Sequence, residues 1–507
     1  YILDEVRALE REIATALEGF GLDETPEICI LTRLIPEADG TTCDQRLENV
    51  EGTDFSYILR VPFRRGNGEI LPEWIPRFQV WPYLERFARE AAEVVENVMG
   101  GAPDLIIGNY SDGNLAAVVL AEIFSAPLAI VAHALEKSKY AHADVFWRRH
   151  QDEYHFAEQF AADLLAMNRA DFIITSTLQE IAGTADTEGQ YQSHEFFTMP
   201  GLFRVLNGID VRSARFNIIS PGVDLQVYFS HSRHEERDRN RTARVRELIF
   251  SARRPDIIGH LDDESKRPLF TMARLDSIKN ITGLVEAFGA TQNLRERANL
   301  ILVAGKVREE EADSEEEKEQ IRSMYRLIDH YDLHGCVRWL GIGLPKPDAA
   351  EVYRVIADSR GIFVQPALYE AFGLTVLEAM HSGVPTAATR YGGPMEIIHH
   401  GMDGFLLDVK DRAAFPAALA GILDEMDRDT ACWERISHAG IRRVEEHYNW
   451  SVYCRRLLRA AGLYRMLRDN AGEQQLARCH HNRKLFHDLY RKLVERLNPN
   501  PGTDGCA

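Results

Sequence analysis

The sequence predicts an α/β protein of two doubly wound domains with a helical C-terminal tail, and three observations predict it. Short apolar runs of strand length alternate with segments of helical period in both halves of the chain, as parallel sheets covered on both faces require. A polar, arginine-rich stretch from Asp224 to about Arg267 separates the halves. The 507 residues suffice for two full cores, and 45% hydrophobic with 27% charged residues is the composition of a soluble globular chain. Together these divide the chain into domains at 1–223 and 224–449 and a tail at 450–507.

Bulk properties exclude several functions. A formal net charge of −19 argues against general nucleic-acid binding, so any phosphate site must be a local cluster on an acidic background. No apolar run approaches the ~20 residues of a membrane span, and no signal-peptide pattern is present. The seven cysteines are scattered, odd in number and without CxxC spacing, which fits reduced thiols in a cytoplasmic protein. Cys479-His480-His481 lacks a second ligand pair. The sequence gives no sign of a metal or a cofactor.

Taken in order, Ile2, Val6, Leu9, Ile13, Leu17 and Phe20 recur at helical spacing, with Gly21 placed to cap the helix. Strands are predicted at 28–31, 57–61, 104–107, 128–131, 172–175 and 217–219. Helices are predicted at 81–98, 115–124 and 154–167. Arg233, Arg237, Arg239, Arg241, Arg244 and Arg246 crowd the connection, where a solvated linker and helix is the ordinary reading of such a charge run. Strands resume at 269–272, 300–303, 337–340, 362–364 and 386–388. The acidic run from Glu309 to Glu317 solvates or caps the next helix. In the tail, Leu457, Leu458, Leu463, Leu467, Phe486, Leu489 and Leu493 form apolar stripes between basic patches, suited to packing on the first domain or to an oligomer face.

Chemistry concentrates where strands end. In an open parallel sheet ligands bind beyond the carboxyl ends of the strands. The run Gly361–Pro366 reads as a buried strand leading into a loop with Glu370. Gly373 then permits a turn, and Leu374, Leu377 and Met380 mark a helix carrying Glu378. A helix start offers unpaired N–H groups and a positive dipole end, which favour phosphate. Were the whole stretch helical, the two carboxylates would lie up to about 12 Å apart, a nucleotide-sugar length; two solvent-facing acids on a capped strand–helix unit would also fit the spacing. After the strand at 269–272, Arg274 and Lys279 flank a turn: arginine can fork two phosphate oxygens, and lysine adds a movable point charge. In the first domain, Gly108-Asn109-Tyr110-Ser111-Asp112-Gly113-Asn114 follows one strand. His133, Glu136, Lys137 and Lys139 follow another. A phosphate-binding domain facing a polar, sugar-sized one suggests a cleft enzyme acting on a nucleotide sugar.

These residues match a family. Glu370-x7-Glu378, Arg274 with Lys279, and Ser220-Pro221-Gly222-Val223-Asp224 resemble retaining glycosyltransferases with two facing Rossmann-like domains, the GT-B fold. More narrowly, residues 132–140, 108–114 and 81–85, with Phe203-Arg204-Val205 and Gly208-Ile209-Asp210, resemble the sucrose synthases from Tyr1 to about Tyr464. Sucrose-phosphate synthases, or another retaining GT-B enzyme, are the alternative.

The resemblance implies reversible glucosyl transfer: sucrose plus UDP or ADP gives the nucleotide glucose plus fructose. It implies that Arg274 and Lys279 bind the diphosphate and Glu378 the ribose. Glu370 would hold the glucosyl hydroxyls with the N–H groups of Phe372, Gly373, Leu374 and Thr375. His133 would lie beside the reacting carbon, and Arg77 and Lys139 would position fructose. It further implies a cytoplasmic homo-oligomer, often a tetramer. A glycine-rich loop and regulatory domains are expected ahead of Tyr1, so the chain reads as N-terminally truncated. Gly343 and Ala349 stand where plant members carry a Gln and an Asn against uridine, which leaves the base open between uracil and adenine. Rival readings are a non-catalytic nucleotide-binding or oligomerisation fragment, a pyridoxal-phosphate phosphorylase and a metal-dependent glycosyltransferase.

Overall fold

A computed structural model describes residues 2–133, 135, 147–182, 189–191, 216–469 and 482–497. The chain forms two compact units, Tyr1–Ser220 with Tyr453–Ala507, and Pro221–Val452. No described helix is long and apolar enough to cross a membrane.

In the first unit the strands are β1 (Ile28–Leu34), β2 (Leu47–Asn49), β3 (Ser56–Pro62), β4 (Ile106–Asn109), β5 (Leu128–Val131), β6 (Phe172–Thr175) and β7 (Phe216–Ile218). Among the described residues they make two sheets where one was expected. β1-β3-β2 has its outer strand β2 antiparallel, and β4-β5-β6-β7 is wholly parallel and in sequence order. Strands β5 and β6 are buried along their length, as their unbroken apolar runs require. The helix Trp81–Met99 buries Trp81, Leu84, Phe87, Ala88, Ala91, Ala92 and Val95, one stripe at three- and four-residue spacing. It shares a core with Leu115 and Val119 of the helix Tyr110–Ile123 and with Leu165 of Phe156–Arg169.

The tail belongs to this unit. Tyr490 is buried against the same core and donates its hydroxyl to the Trp81 carbonyl at 3.1 Å. The Tyr464 ring stacks on Phe172 at 4.8 Å. The first helix, Ile2–Gly19, departs from its predicted stripe: Phe20 is 82% exposed, and the buried face carries Glu5 and Glu10 beside Val6 and Leu9. Glu10 is satisfied by the N–H groups of Asp54 and Phe55 and by the Ser56 hydroxyl. Glu5 accepts from the Tyr453 hydroxyl at 2.8 Å, while its other oxygen is buried with no hydrogen-bond partner among the described residues.

The second unit has one seven-stranded sheet, ordered β14-β13-β12-β9-β10-β11-β8. Its members are β8 (Ile257–Leu261), β9 (Arg267–Ala273), β10 (Ala298–Ala304), β11 (Cys336–Leu340), β12 (Ile362–Gln365), β13 (Thr386–Thr389) and β14 (Phe405–Leu407). All pair in parallel except β8, which closes the β11 edge in the antiparallel sense. Every residue of the central β10 is buried. Three of the arginines after Asp224 make ion pairs within the unit. Arg237 bridges Glu351 at 2.7 Å and Asp358 at 2.8 Å, and Arg241 and Arg244 both reach Asp348. These pairs fasten the connection and the helix Arg239–Phe250 to the helix Lys346–Asp358.

Burial pushes the Glu5 carboxyl up to about 7 from its ordinary 4.5, with the Tyr453 hydrogen bond acting in the opposite direction. Above pH 4.5 the unfolded chain loses this proton while the folded chain keeps it, so stability falls as pH rises towards 7. Glu5→Gln removes that dependence. We expect the variant to gain on the parent between pH 5 and pH 8 by about 2.5 kcal/mol in denaturant unfolding. An equal difference at both pH values would contradict the buried, protonated carboxyl.

Candidate functional site

Strand order in the second unit reverses between β9 and β12. From β9 the chain steps outward through β10 to β11, then crosses to the other side of β9 to lay down β12, β13 and β14. The crevice at such a switch point, beyond the carboxyl ends, is where open α/β sheets bind ligands. Both sequence-derived clusters emerge there.

After β9, Asp276 caps a 3₁₀ turn, Ser277–Lys279, by accepting from the Lys279 N–H at 3.0 Å. Asn280 follows in the left-handed conformation, φ 54°. Its carboxamide donates to the Pro366 carbonyl at 3.0 Å, and the Leu368 N–H donates to the Ile278 carbonyl at 2.9 Å. These two bonds tie the loop after β9 to the loop after β12. Lys279 Nζ then meets Glu370 Oε2 at 2.7 Å, and Gln365 Nε2 donates to the same oxygen at 2.7 Å. The Lys279 and Glu370 side chains are 23% and 14% exposed, so the pair is screened less than a surface bridge. Arg274 shares the loop but not the contact: it is 75% exposed and pairs with Asp276 at 3.0 Å.

Glu370 precedes the helix, so the fully helical spacing of about 12 Å does not describe it. It lies in a bridge with Gly392, donating its N–H to the Tyr391 carbonyl and accepting from the Gly393 N–H at 2.8 Å. A Cβ at Gly392, φ 104°, would sit 1.9 Å from the Glu370 carbonyl oxygen, so only glycine permits the approach. Gly373, φ 108°, turns the chain into the helix Leu374–His381, whose cap uses no side chain. Among the described residues no acceptor takes the backbone N–H groups of Phe372, Gly373, Leu374 or Thr375. Four open donors at the positive end of a helix form an anion cradle beside Glu370 and Lys279. Glu378 lies one turn further on and accepts from the Tyr353 hydroxyl at 3.4 Å. Burial, and then the Glu378 charge, push that phenol well up.

In the first unit the ends of β4 and β5 carry the second cluster. Tyr110 and His133 both adopt φ 60°, a strained conformation for non-glycine residues. Their rings stack with centroids 4.4 Å apart, and the Arg77 guanidinium lies over Tyr110 at 4.9 Å while pairing with Asp112 at 3.2 Å. His133 Nε2 is 2.7 Å from Asn109 Oδ1. Burial, and the Arg77 charge, lower the His133 pKa to about 4. Glu136, Lys137, Lys139, the segments 203–205 and 208–210, and Cys479-His480-His481 lie outside the described residues.

In the sequence Lys279 reads as a partner of Arg274 at the diphosphate and Glu370 as a separate acid at the sugar, and Arg77 enters only through the family resemblance; the structure pairs Lys279 with Glu370 and sets Arg77 over Tyr110, beside His133. Sequence reasoning missed Gln365, Asn280, Tyr353 and the stacking role of Tyr110. Gln365 had a signal, being the polar residue in an otherwise apolar strand; Tyr110 lay within a motif already singled out.

Two outcomes follow from this geometry. Gly392→Ala is expected to destabilise the second unit by ~3 kcal/mol or more, since the backbone itself must move, as denaturant unfolding will measure. His133 is expected to stay neutral to about pH 4. Histidine NMR, assigned with His133→Gln, would show a midpoint near 6.5 if the ring were open to water.

Comparison with known proteins agrees with both halves of this description. The family model for the sucrose synthase first GT-B domain matches residues 1–250, and that for glycosyl transferases group 1 matches 254–437. The sucrose synthase of Thermosynechococcus vestitus is 50% identical over 501 residues, 98% of this chain and 62% of the relative. Sucrose synthase 2 of Arabidopsis thaliana is 50% identical over 465 residues, 92% of this chain and 58% of the relative. The chain therefore spans about three fifths of the length of these relatives. Among solved structures, the sucrose-phosphate synthase of Thermosynechococcus elongatus superposes with a TM-score of 0.61 at 20% identity, covering 92% of this chain and 93% of that one. That likeness shows the fold alone; the two family models and the sequence relatives show that this chain belongs to the sucrose synthase family.

Proposed function

We propose that the chain transfers a glucosyl unit reversibly between sucrose and a nucleoside diphosphate, UDP or ADP, with retention at the anomeric carbon. The observation that carries this reading is the Lys279–Glu370 pair set against four open backbone N–H groups at a helix start. Such a site suits a sugar diphosphate: amides and cation for the phosphates, carboxylate for sugar hydroxyls. In this reading Arg274 swings from Asp276 to join Lys279 on the diphosphate, and Glu378 takes the ribose. His133, neutral in its stack, accepts or donates a hydrogen bond at the glucosyl unit without adding charge. Arg77 and Lys139 position fructose.

Glu370 is held by Lys279 and Gln365, which favours a holding role over that of nucleophile. The step is then a front-face substitution. The bond from the anomeric carbon to the fructose oxygen breaks, and the bond to a diphosphate oxygen forms on the same face. The diphosphate proton passes to the departing fructose oxygen. Fixed charge from Arg274 and Lys279 stabilises the phosphate where charge changes, so metal is not required by the proposal. A cytoplasmic location and a homo-oligomeric state, a tetramer, are part of the same family-based reading.

The test is sucrose cleavage with UDP and with ADP, beside calorimetry for both nucleotides, on this chain and on a version lengthened to match the relatives of which it spans about three fifths. Lys279→Ala is expected to lose roughly 10²–10³ in turnover while keeping its unfolding midpoint, and chelator to leave the parent unchanged. Near-normal turnover in Lys279→Ala would overturn the phosphate assignment. Nucleotide binding without cleavage in the parent would favour a non-catalytic nucleotide-binding protein.

A further inference from the structure

We propose that Gln365 is a positioning residue of this site, fixing which oxygen of Glu370 faces the glucosyl unit. The inference rests on the reading of Glu370 as the sugar-holding carboxylate. Strand β12 is apolar and buried through Ile362, Phe363 and Val364, and ends on a glutamine only 5% exposed. Its carboxamide nitrogen donates to Glu370 Oε2, the oxygen that Lys279 Nζ also reaches. Glu370 Oε1 takes no donor among the described residues. One oxygen therefore holds two donors and the other is left for a ligand.

Lysine alone would not make that distinction. Its ammonium is a point charge on a flexible four-carbon stem and follows whichever oxygen a rotating carboxylate presents. The glutamine is short, buried and anchored on the sheet, so it selects one rotamer of Glu370. Its own carbonyl oxygen is buried and accepts nothing among the described residues. Turning the amide over would set that oxygen against the carboxylate, acceptor to acceptor, so only one orientation gives a bond. Among the described residues the buried amide thus makes one side-chain hydrogen bond, to Glu370.

Because Gln365 acts through the glucosyl-binding carboxylate, its loss should be felt by nucleotide glucose and not by the bare nucleotide. The experiment is calorimetric titration of the parent, Gln365→Met and Gln365→Glu with UDP, ADP and their glucose adducts at pH 6 and pH 8, with unfolding midpoints alongside. Gln365→Met should weaken nucleotide-glucose binding about tenfold or more at both pH values, while nucleoside diphosphate affinity stays within about twofold. Gln365→Glu places a like charge beside Glu370, and such a pair retains a proton to higher pH. Its loss should be severe at pH 8 and partly recovered at pH 6, where the shared proton restores the bridge. A role in packing alone would show no such recovery. Parent-like affinity for nucleotide glucose in both variants overturns the proposal, as does an equal loss for bare and glucosylated nucleotide. A parent that binds neither ligand overturns the reading of the whole site, and this inference with it, and is told apart by the parent titration itself.

Discussion

The parallel pairing of β9 with β12 is the constraint on which the second unit's chemistry depends. Lys279 and Glu370 are 91 residues apart in sequence, and they meet because two loops leave neighbouring strands at the same end of the sheet. The Leu368–Ile278 backbone bond and the Asn280–Pro366 bond then set the separation. Each such bond contributes only about 1 kcal/mol net, but together with the glycine-permitted bridge at Gly392 they leave the Glu370 backbone little freedom. The ion pair is the end of that chain of constraints: the sheet places the loops, and the loops place the charges.

The two units hold their polar groups by different physics. In the second, positive potential comes from Lys279, Arg274 and a helix start, on a chain whose net charge is −19. A local cradle of this kind attracts an anion that the rest of the surface repels. In the first, Arg77, Tyr110 and His133 form a column of cation, ring and imidazole. Burial and the neighbouring guanidinium keep that imidazole uncharged, leaving it a hydrogen-bonding group at neutral pH. The left-handed backbone at both Tyr110 and His133 stores strain at the point where the rings meet, a place where packing must outweigh local preference.

Much of the fold was legible because parallel strands buried on both faces read as continuous apolar runs. β5 and β6 match their predicted spans, and β9, β10, β11, β12 and β13 each contain theirs. The omissions have physical causes. β8 is an antiparallel edge strand whose Gly259 and His260 dilute the apolar signal within a polar connection. β2 and β14 have three residues each, too few to show a period. At the site, residue types at strand ends pointed to Lys279 and Glu370, because charge after a buried strand is conspicuous. Gln365 and Asn280 were invisible as partners, since their contacts cross between loops and depend on strand order. The Glu5 carboxyl was hidden for a related reason: a helical stripe marks apolar positions, and nothing in it announces an acid turned inward.

The first unit is assembled from both ends of the chain, with Tyr453, Tyr464 and Tyr490 supplying contacts to Glu5, Phe172 and Trp81. The second is a single uninterrupted segment, Pro221–Val452. During synthesis the two therefore mature in the reverse of their order in the chain. The later-made unit can close its core once its own last strand and helices have left the ribosome. The earlier-made one waits, its Trp81 and Phe172 surfaces uncovered, until the tail emerges. Those closing contacts span most of the chain, so the apolar surface they cover stays open until synthesis is nearly finished.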